Sequence, residues 1–502
     1  MDAGGKNIKT IGAAILAGGL GTRMKSEAPK GLVSLLENPL IFYAVESLIG
    51  ARRLLKSHAG TAGHSVSLDK IGIVIGHKGE DIKDYTLRER RFRVKGLSID
   101  FAVQKKYLGT GDAVNTSLGM FSSYRGEQNI LILPCDMPLI RPESFFELII
   151  SHLNNNSDLT VLSVEVENPY SYGRILRDKT GSAMEIVEEK ELARYPEKVR
   201  KTNEINSGVY ILKLKHLKRL IGEIRPLNRE REYYFTDIVN IFYKNGLKTT
   251  CLKSPKREEF GGVNSRAELE NAKKILQARV IKKFIDTGVD IMSPENIYAG
   301  YNIHVEAGAT LYPGVFLTGK THILKGARIE TGCVIDDSTV SENAAIKSYS
   351  VIEKSAVSEG CRIGPFAHLR PGSFIGKNSK IGNFVEVKNS SIGEDTKASH
   401  LSYIGDATIG NGVNVGAGAI TCNYDGINKH ETVIEDGCFI GSDSQIVAPV
   451  TLKRGSYVAS GTTVTRDVPG GALAISRTRQ KNIENWAKKR LAHSKPGRGR
   501  GE

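Results

Sequence analysis

Between Ile303 and Val464 aliphatic residues return at every sixth position, and no other feature of the chain restricts its choice of fold as strongly. Val305, Leu311, Leu317, Ile323, Ile329 and Ile335 keep one phase. Val357, Ile363, Leu369, Ile375, Ile381 and Val387 keep another, and so do Ile434, Ile440, Ile446, Leu452, Val458 and Val464. Neither an α-helix nor a half-buried strand has that period. It belongs to a left-handed parallel β-helix, a triangular prism in which each unit supplies a flat face and a corner and the aliphatic side chain fills the bore. Three units close a coil, so the stretch predicts about nine coils. The small residues of Ile363-Gly364-Pro365, Ile381-Gly382-Asn383 and Ile409-Gly410-Asn411 suit tight corners.

At 502 residues the chain exceeds one ordinary core, and two or three domains are expected. The amino-terminal residues lack the apolar core of a signal peptide, and no apolar run reaches the length of about eighteen needed to span a bilayer. A cytoplasmic protein with no membrane insertion is expected. The cysteines at 135, 251, 333, 361, 422 and 438 show no metal-ligand spacing and read as reduced, mostly buried thiols. The net charge of +15 is uneven: residues 477–502 hold nine Lys/Arg against two acids. No aromatic-interleaved basic motif accompanies that tail, so nucleic acid is not an expected partner and anionic small molecules are.

The apolar run Ile11–Leu16 passes directly into Ala17-Gly18-Gly19-Leu20-Gly21-Thr22-Arg23-Met24, with Pro29-Lys30 close behind. A strand feeding a glycine-rich turn brings backbone N–H groups against phosphates, and Arg23 and Lys30 add two cations. No Gly-Lys-Ser/Thr follows, so it is not a Walker A loop. Further strands are predicted at Ile71–Ile75, Leu97–Val103, Asn129–Leu133, Leu159–Val164 and Val209–Leu212, with helices such as Leu40–Leu55 and Glu143–Leu153 between them. Such alternation indicates an α/β Rossmann-like domain with a mostly parallel sheet, whose ligands collect at the carboxyl ends of the strands. Gln104, the segment Leu108-Gly109-Thr110-Gly111, and Asp136 stand at such ends, and a carboxylate there suits Mg²⁺.

These strings, with Tyr172-Gly173-Arg174, Ile186-Val187-Glu188, Glu204-Ile205-Asn206-Ser207-Gly208, Glu232-Tyr233-Tyr234 and Gly262-Val263-Asn264, resemble the sugar-1-phosphate nucleotidyltransferases. With the β-helix behind them, the chain from Ile11 to about Arg477 resembles the bacterial family that joins an N-acetylglucosamine-1-phosphate uridylyltransferase to a glucosamine-1-phosphate N-acetyltransferase. The resemblance leaves out a loop around His58–Ser67 and the tail. It implies that Leu16, Ala17, Gly18, Gly19, Lys30, Gln104, Gly109 and Thr110 hold UTP. Gly173, Glu188 and Asn206 would hold the amino sugar, and Asp136 and Asn264 the Mg²⁺, with Asn264 also at the nucleotide. Arg23 and Lys30 would carry the catalytic charge. Cys135 stands where the family usually has Gly, and Leu20 where a basic residue is frequent.

Residues 265–287 read as an amphipathic linker helix with Leu269, Ala272, Leu276, Val280 and Phe284 on one stripe, a Ser265/Glu268 capping box, and Gly288 as terminator. The domains expected are then 1–264 for uridylyltransfer, 288–476 for acetyltransfer, and a basic tail at 477–502. Within the prism the period lapses across Thr421–Lys429, a polar loop of the kind that marks a binding face. His400 beside it is a candidate base. The resemblance makes His400 the general base, and Glu386 is the candidate for orienting it. It assigns Arg370, Lys388, Tyr403 and Asn414 to glucosamine-1-phosphate, and Ala417, Asn423, Tyr424, Ser442, Ser460 and Arg477 to acetyl-CoA. It also implies a homotrimer. The rival readings are a related enzyme of different sugar or nucleotide specificity and a non-catalytic regulatory subunit.

Overall fold

The computed structural model describes residues 9–19, 21, 24, 28–58, 66–76, 78–124 and 128–493. Leu20, Arg23, most of the loop after His58, and the end of the tail lie outside these. The chain divides into two compact units, residues 1–279 and 280–502, and the division falls inside the helix Arg266–Asp286.

The first unit is built on a sheet whose strands run in the order Thr249–Ser254, Leu159–Glu165, Glu204–Lys213, Asn129–Pro134, Lys9–Ala17, Val66–Ile75 and Ser98–Val103. All neighbours are parallel except Glu204–Lys213, which runs against both strands beside it. The sequence-predicted strands and helices are all present, the latter as Leu40–Ser57 and Pro142–Asn154. Helices cover the sheet, so its central strands read as continuous apolar runs instead of alternating. Ile15, Leu131 and Ile132 are accordingly fully buried. Each such side chain contributes about 1.5–3 kcal/mol of transfer free energy. Only seven residues separate the strand Asn129–Pro134 from the helix Pro142–Asn154, so the segment carrying Asp136 is held at both ends by regular structure.

The second unit is a left-handed β-helix of three parallel sheets with eleven, ten and nine strands. That makes ten coils rather than nine, because strands at Asp290–Ile291 and Leu473–Ala474 extend the prism beyond the periodic run. All eighteen aliphatic residues of the three in-phase runs are buried. The runs are separate for a structural reason. Ile335 to Val340, Ile352 to Val357, Val387 to Ile392 and Ile404 to Ile409 are steps of five, not six, and all lead round the same corner. There Asp337, Lys354, Asn389 and Asp406 adopt φ of 44°, 44°, 45° and 48°. A corner shortened by one residue closes through a left-handed residue, a conformation Asn and Asp tolerate better than most. The phase also survives further than the sequence indicates: Thr421 occupies the inward place six after Val415, with Oγ1 accepting from Gly405 N at 2.7 Å and donating to its O at 3.0 Å.

The five stripe residues of the linker helix are buried. Its capping box is present with one change: Glu268 accepts from Asn264 N at 2.7 Å and from Ser265 Oγ at 3.0 Å, while Ser265 Oγ accepts from Glu268 N at 3.3 Å. Gly288 closes the helix at φ +89°. Among the described residues no helix is long and apolar enough to cross a membrane. The six cysteines are free thiols, and four are buried.

Candidate functional site

Leu16, Gly18, Gly19, Lys30, Gln104, Gly109, Thr110 and Asp136 line a single cavity of about 350 Å³ at the carboxyl ends of the strands. Ala17 does not, since it is the buried last residue of its strand. Two glycines make the cavity possible by letting other groups approach. A Cβ on Gly18 would stand 2.9 Å from Gln104 Oε1. Gln104 Nε2 in turn donates to Gly109 O at 3.2 Å and to Asp112 at 2.8 Å. Gly109 has φ +112°, and a Cβ there would fall 2.6 Å from Tyr233 O. Tyr233 donates from N to Leu108 O, and accepts at O from Gly111 N, both at 2.7 Å. The Leu108–Gly111 and Glu232–Tyr234 strings are therefore one physical piece, with Tyr233 acting through its backbone.

The charge centre of this cavity is Lys30. Its Nζ is ion-paired with Asp136 Oδ2 and donates to Asn264 Oδ1 at 2.7 Å. Two hard oxygen donors from distant segments thus converge on one cationic atom, with the ammonium standing in for a cation at that point, and such a donor set fits Mg²⁺. Val263 N donates to Asp136 O at 2.8 Å and locks the two segments together. Cys135 lines the same cavity beside Asp136, its Sγ 3.9 Å from where a Cβ on Gly31 would be. Burial, and next Asp136, push its thiol up to about 12, so it is protonated and unreactive at neutral pH.

Gly173, Glu188 and Asn206 form a cluster of their own. Asn206 N donates to Gly173 O at 2.9 Å, and a Cβ on Gly173 would stand 3.6 Å from the Glu188 carboxylate. Glu188 opens onto a second cavity, of about 390 Å³, shared with Tyr234 and Asp237. Burial raises the Glu188 carboxyl. Asp237 is pushed up to about 6 by burial and then by the neighbouring charge of Glu188.

On the prism, one corner carries the candidate acetyltransfer residues. His400, Ala417, Ser442 and Ser460 occupy the same corner position in successive coils, as their strand registers show. Adjacent coils lie about 4.8 Å apart, so these residues form a straight track along the edge. Arg477 continues it by donating to Ser460 O at 2.7 Å. His400 is exposed, and its Nδ1 lies 2.6 Å from Asn383 Oδ1 in the coil beneath.

Glu386 does not orient His400, contrary to the sequence expectation: it holds Arg370 Nη1 at 2.8 Å. The five-residue step from Val387 to Ile392 makes that coil seventeen residues long, which stacks His400 on Asn383. Asn383 is the residue the sequence reading missed, and the repeat slip was the signal for it. Lys429 is a second. It depresses the ammonium of Lys388 by proximity, so the polar loop returns a cation beside the sugar-phosphate candidates. Asn423 is buried and donates to Asp406, anchoring the loop, while Tyr424 is exposed and donates to Gly426 O at 2.6 Å. Arg370, Lys388 and Tyr403 lie on one face of the prism and Asn414 on the adjoining one.

An α/β unit with a phosphate-type cavity, joined to a hexapeptide β-helix with a histidine at its corner, defines a nucleotidyltransferase fused to an acyltransferase. The family model for nucleotidyl transferases matches residues 12–271, that for the GMPPB C-terminal domain 299–377, and that for the bacterial transferase hexapeptide (six repeats) 431–466. The chain belongs to the bifunctional GlmU family. It is 40% identical over 487 residues to the bifunctional protein GlmU of Thermodesulfovibrio yellowstonii, covering 95% of this chain and 98% of that one. It is 42% identical to that of Geobacter metallireducens, with 95% and 98% covered, and 39% identical to that of Carboxydothermus hydrogenoformans, with 94% and 99% covered.

Proposed function

We propose that the prism transfers acetyl from acetyl-CoA to the amine of glucosamine-1-phosphate, and that the α/β unit then transfers uridylyl from UTP to N-acetylglucosamine-1-phosphate with release of pyrophosphate. What supports this reading is that one chain matching bifunctional relatives over nearly its full length carries both the cavity lined by Lys30 and Asp136 and the corner where His400 meets Asn383. Residues 1–264 carry the second reaction and 288–476 the first, in the cytoplasm.

In uridylyl transfer the sugar phosphate oxygen attacks the α-phosphorus of UTP, so the nucleophile is already an anion and no general base is needed. The work left to the chain is alignment and neutralisation. Gly18, Gly19, Gln104, Gly109 and Thr110 hold the nucleotide, Lys30 and Arg23 meet its phosphates, and Gly173, Glu188 and Asn206 orient the sugar. Asp136 and Asn264 would hold Mg²⁺, which neutralises phosphate charge and polarises the α-phosphoryl group.

In acetyl transfer, Nδ1 of His400 keeps its proton towards Asn383 Oδ1, which leaves Nε2 free to take a proton from the attacking amine. Arg370, Lys388 and Lys429 counter the sugar phosphate, Tyr403 and Asn414 donate hydrogen bonds, and the edge track from Ala417 through Ser442 and Ser460 to Arg477 accommodates acetyl-CoA, with Asn423 and Tyr424 beside it. Residues on two faces of one prism point away from each other across the corner. Bringing Arg370 and Asn414 to one ligand therefore requires a second copy against the first, and a homotrimer provides it. The test is separation of the two activities: Lys30→Ala strongly lowers uridylyl transfer alone and His400→Ala acetyl transfer alone. Loss of both in either variant contradicts the assignment.

A further inference from the structure

The helix Arg266–Asp286 reads in the sequence as a spacer, yet three of its polar side chains reach the three segments that build the uridylyl-transfer cavity. Arg266 Nε donates to Met24 O at 3.2 Å, at the end of the glycine-rich turn. Glu268 accepts from Asn264 N at 2.7 Å and fixes the peptide on which Asn264 hangs. Arg279 Nη1, about three turns further along, donates to Leu139 O at 2.6 Å, three residues beyond Asp136. A capping box needs Glu268 but explains neither arginine, because a carbonyl outside the helix gains the helix nothing. Arg279 is largely buried, with its side chain 20% exposed. Its Nη2 also faces Glu258 at 3.9 Å, so one ordered side chain spans the loop after Asp136 and the segment that leads to Asn264.

We propose that Arg279 and Glu268, assisted by Arg266, are positioning residues of the uridylyl-transfer site, and that this helix sets the separation of Asp136 from Asn264. The proposal rests on the reading of Asp136 and Asn264 as the cation-holding pair. The two segments are tied by the backbone bond from Val263 N to Asp136 O and, further out, by Glu259, which accepts from Arg141 N at 3.0 Å and from Ser144 Oγ at 2.7 Å. The contacts at Leu139 and at Asn264 N act between those ties, on the peptides nearest to Asp136 and Asn264. Because both contacts sit on one rigid helix, a shift of the helix moves both oxygen ligands together.

The test uses the full chain with Arg279→Met, Arg279→Lys, Glu268→Ala, Glu268→Gln and Asp136→Ala variants. Mn²⁺ binding is titrated by electron paramagnetic resonance in the presence of UTP, alongside kcat and KM for uridylyl transfer, acetyl-transfer rate and Tm. Arg279→Met and Glu268→Ala are expected to lose about tenfold in Mn²⁺ affinity and in kcat, the usual cost of removing an outer partner of a cation ligand. KM for UTP should move less, acetyl transfer should stay at its parent rate, and Arg279→Lys and Glu268→Gln, which retain a donor and an acceptor, should recover most of the loss. Unchanged Mn²⁺ affinity with only a lowered Tm would overturn the proposal and leave the helix a structural strut. Equal loss of acetyl transfer would overturn it as well, since the effect would then be general unfolding. If Asp136→Ala itself binds Mn²⁺ normally, the cation assignment falls and takes this proposal with it.

Discussion

The two halves of the chain build their sites by opposite means. In the α/β unit, Lys30, Asp136 and Asn264 come from segments separated by most of that unit's length and meet on one ammonium group. On the prism, Asn383, His400, Ala417, Ser442 and Ser460 sit one coil apart, and their meeting is arithmetic on the repeat. A site of the first kind depends on the whole fold for its geometry. A site of the second kind depends on local coil length, so a single missing residue re-partners every group above it.

The contrast can be broken most forcefully at its chemical centres. His400→Ala should lower acetyl transfer by about 10²–10⁴-fold, the usual contribution of a positioned proton acceptor, with uridylyl transfer unaffected. Lys30→Ala should lower uridylyl transfer by about 10²–10³-fold, as for loss of a preorganised charge-stabilising group, with acetyl transfer unaffected. Separate assays of each half-reaction check both. If either variant lost both activities, the two sites would not be independent.

A second group of variants tests how each unit is held together. Ile363→Ala empties a bore position and should cost about 2–5 kcal/mol in denaturant unfolding of the prism, because stacked coils cannot collapse into the gap. Asn383→Ala leaves the His400 Nδ1–H without its partner and should cost about 1–3 kcal/mol in the acetyl-transfer barrier. Its pH–rate profile should shift, whereas Glu386→Gln should leave that profile in place and raise KM for the sugar phosphate by loosening Arg370. The reverse outcome would restore Glu386 as the orienting group.

The smallest effect concerns pH in the α/β unit. Asp237, ordinarily near 3.8, is raised to about 6, so the folded unit holds this proton more tightly than the unfolded chain does. Its contribution stabilises the unit below the unfolded value and is lost as pH rises through about 6. Asp237→Asn should therefore flatten the fall in Tm across that interval, which a thermal scan at several pH values would reveal.

What could be read before folding follows the same divide. The prism announced itself through Val305, Leu311 and their in-phase successors, because inward-facing positions tolerate little but aliphatic side chains. The glycine turn, Gln104 and Asp136 were legible as local strings. Three things were not. Asn383 was hidden behind a five-residue step, and without it the nearby carboxylate of Glu386 looked the better partner. Lys429 approaches Lys388 only because the loop folds back through the Tyr424–Lys429 bridge. Tyr233 serves Gly109 with backbone atoms, which leave no side-chain signature.

The central claim is that both sites of this chain are chemically live. Purified protein supplied with glucosamine-1-phosphate, acetyl-CoA, UTP and Mg²⁺, with products identified by mass spectrometry, tests it most directly. The account predicts UDP-N-acetylglucosamine and pyrophosphate from the parent chain, accumulation of N-acetylglucosamine-1-phosphate in Lys30→Ala, and unconsumed glucosamine-1-phosphate in His400→Ala. Failure of the parent chain to acetylate, or to uridylylate the acetylated sugar when it is supplied directly, would contradict it.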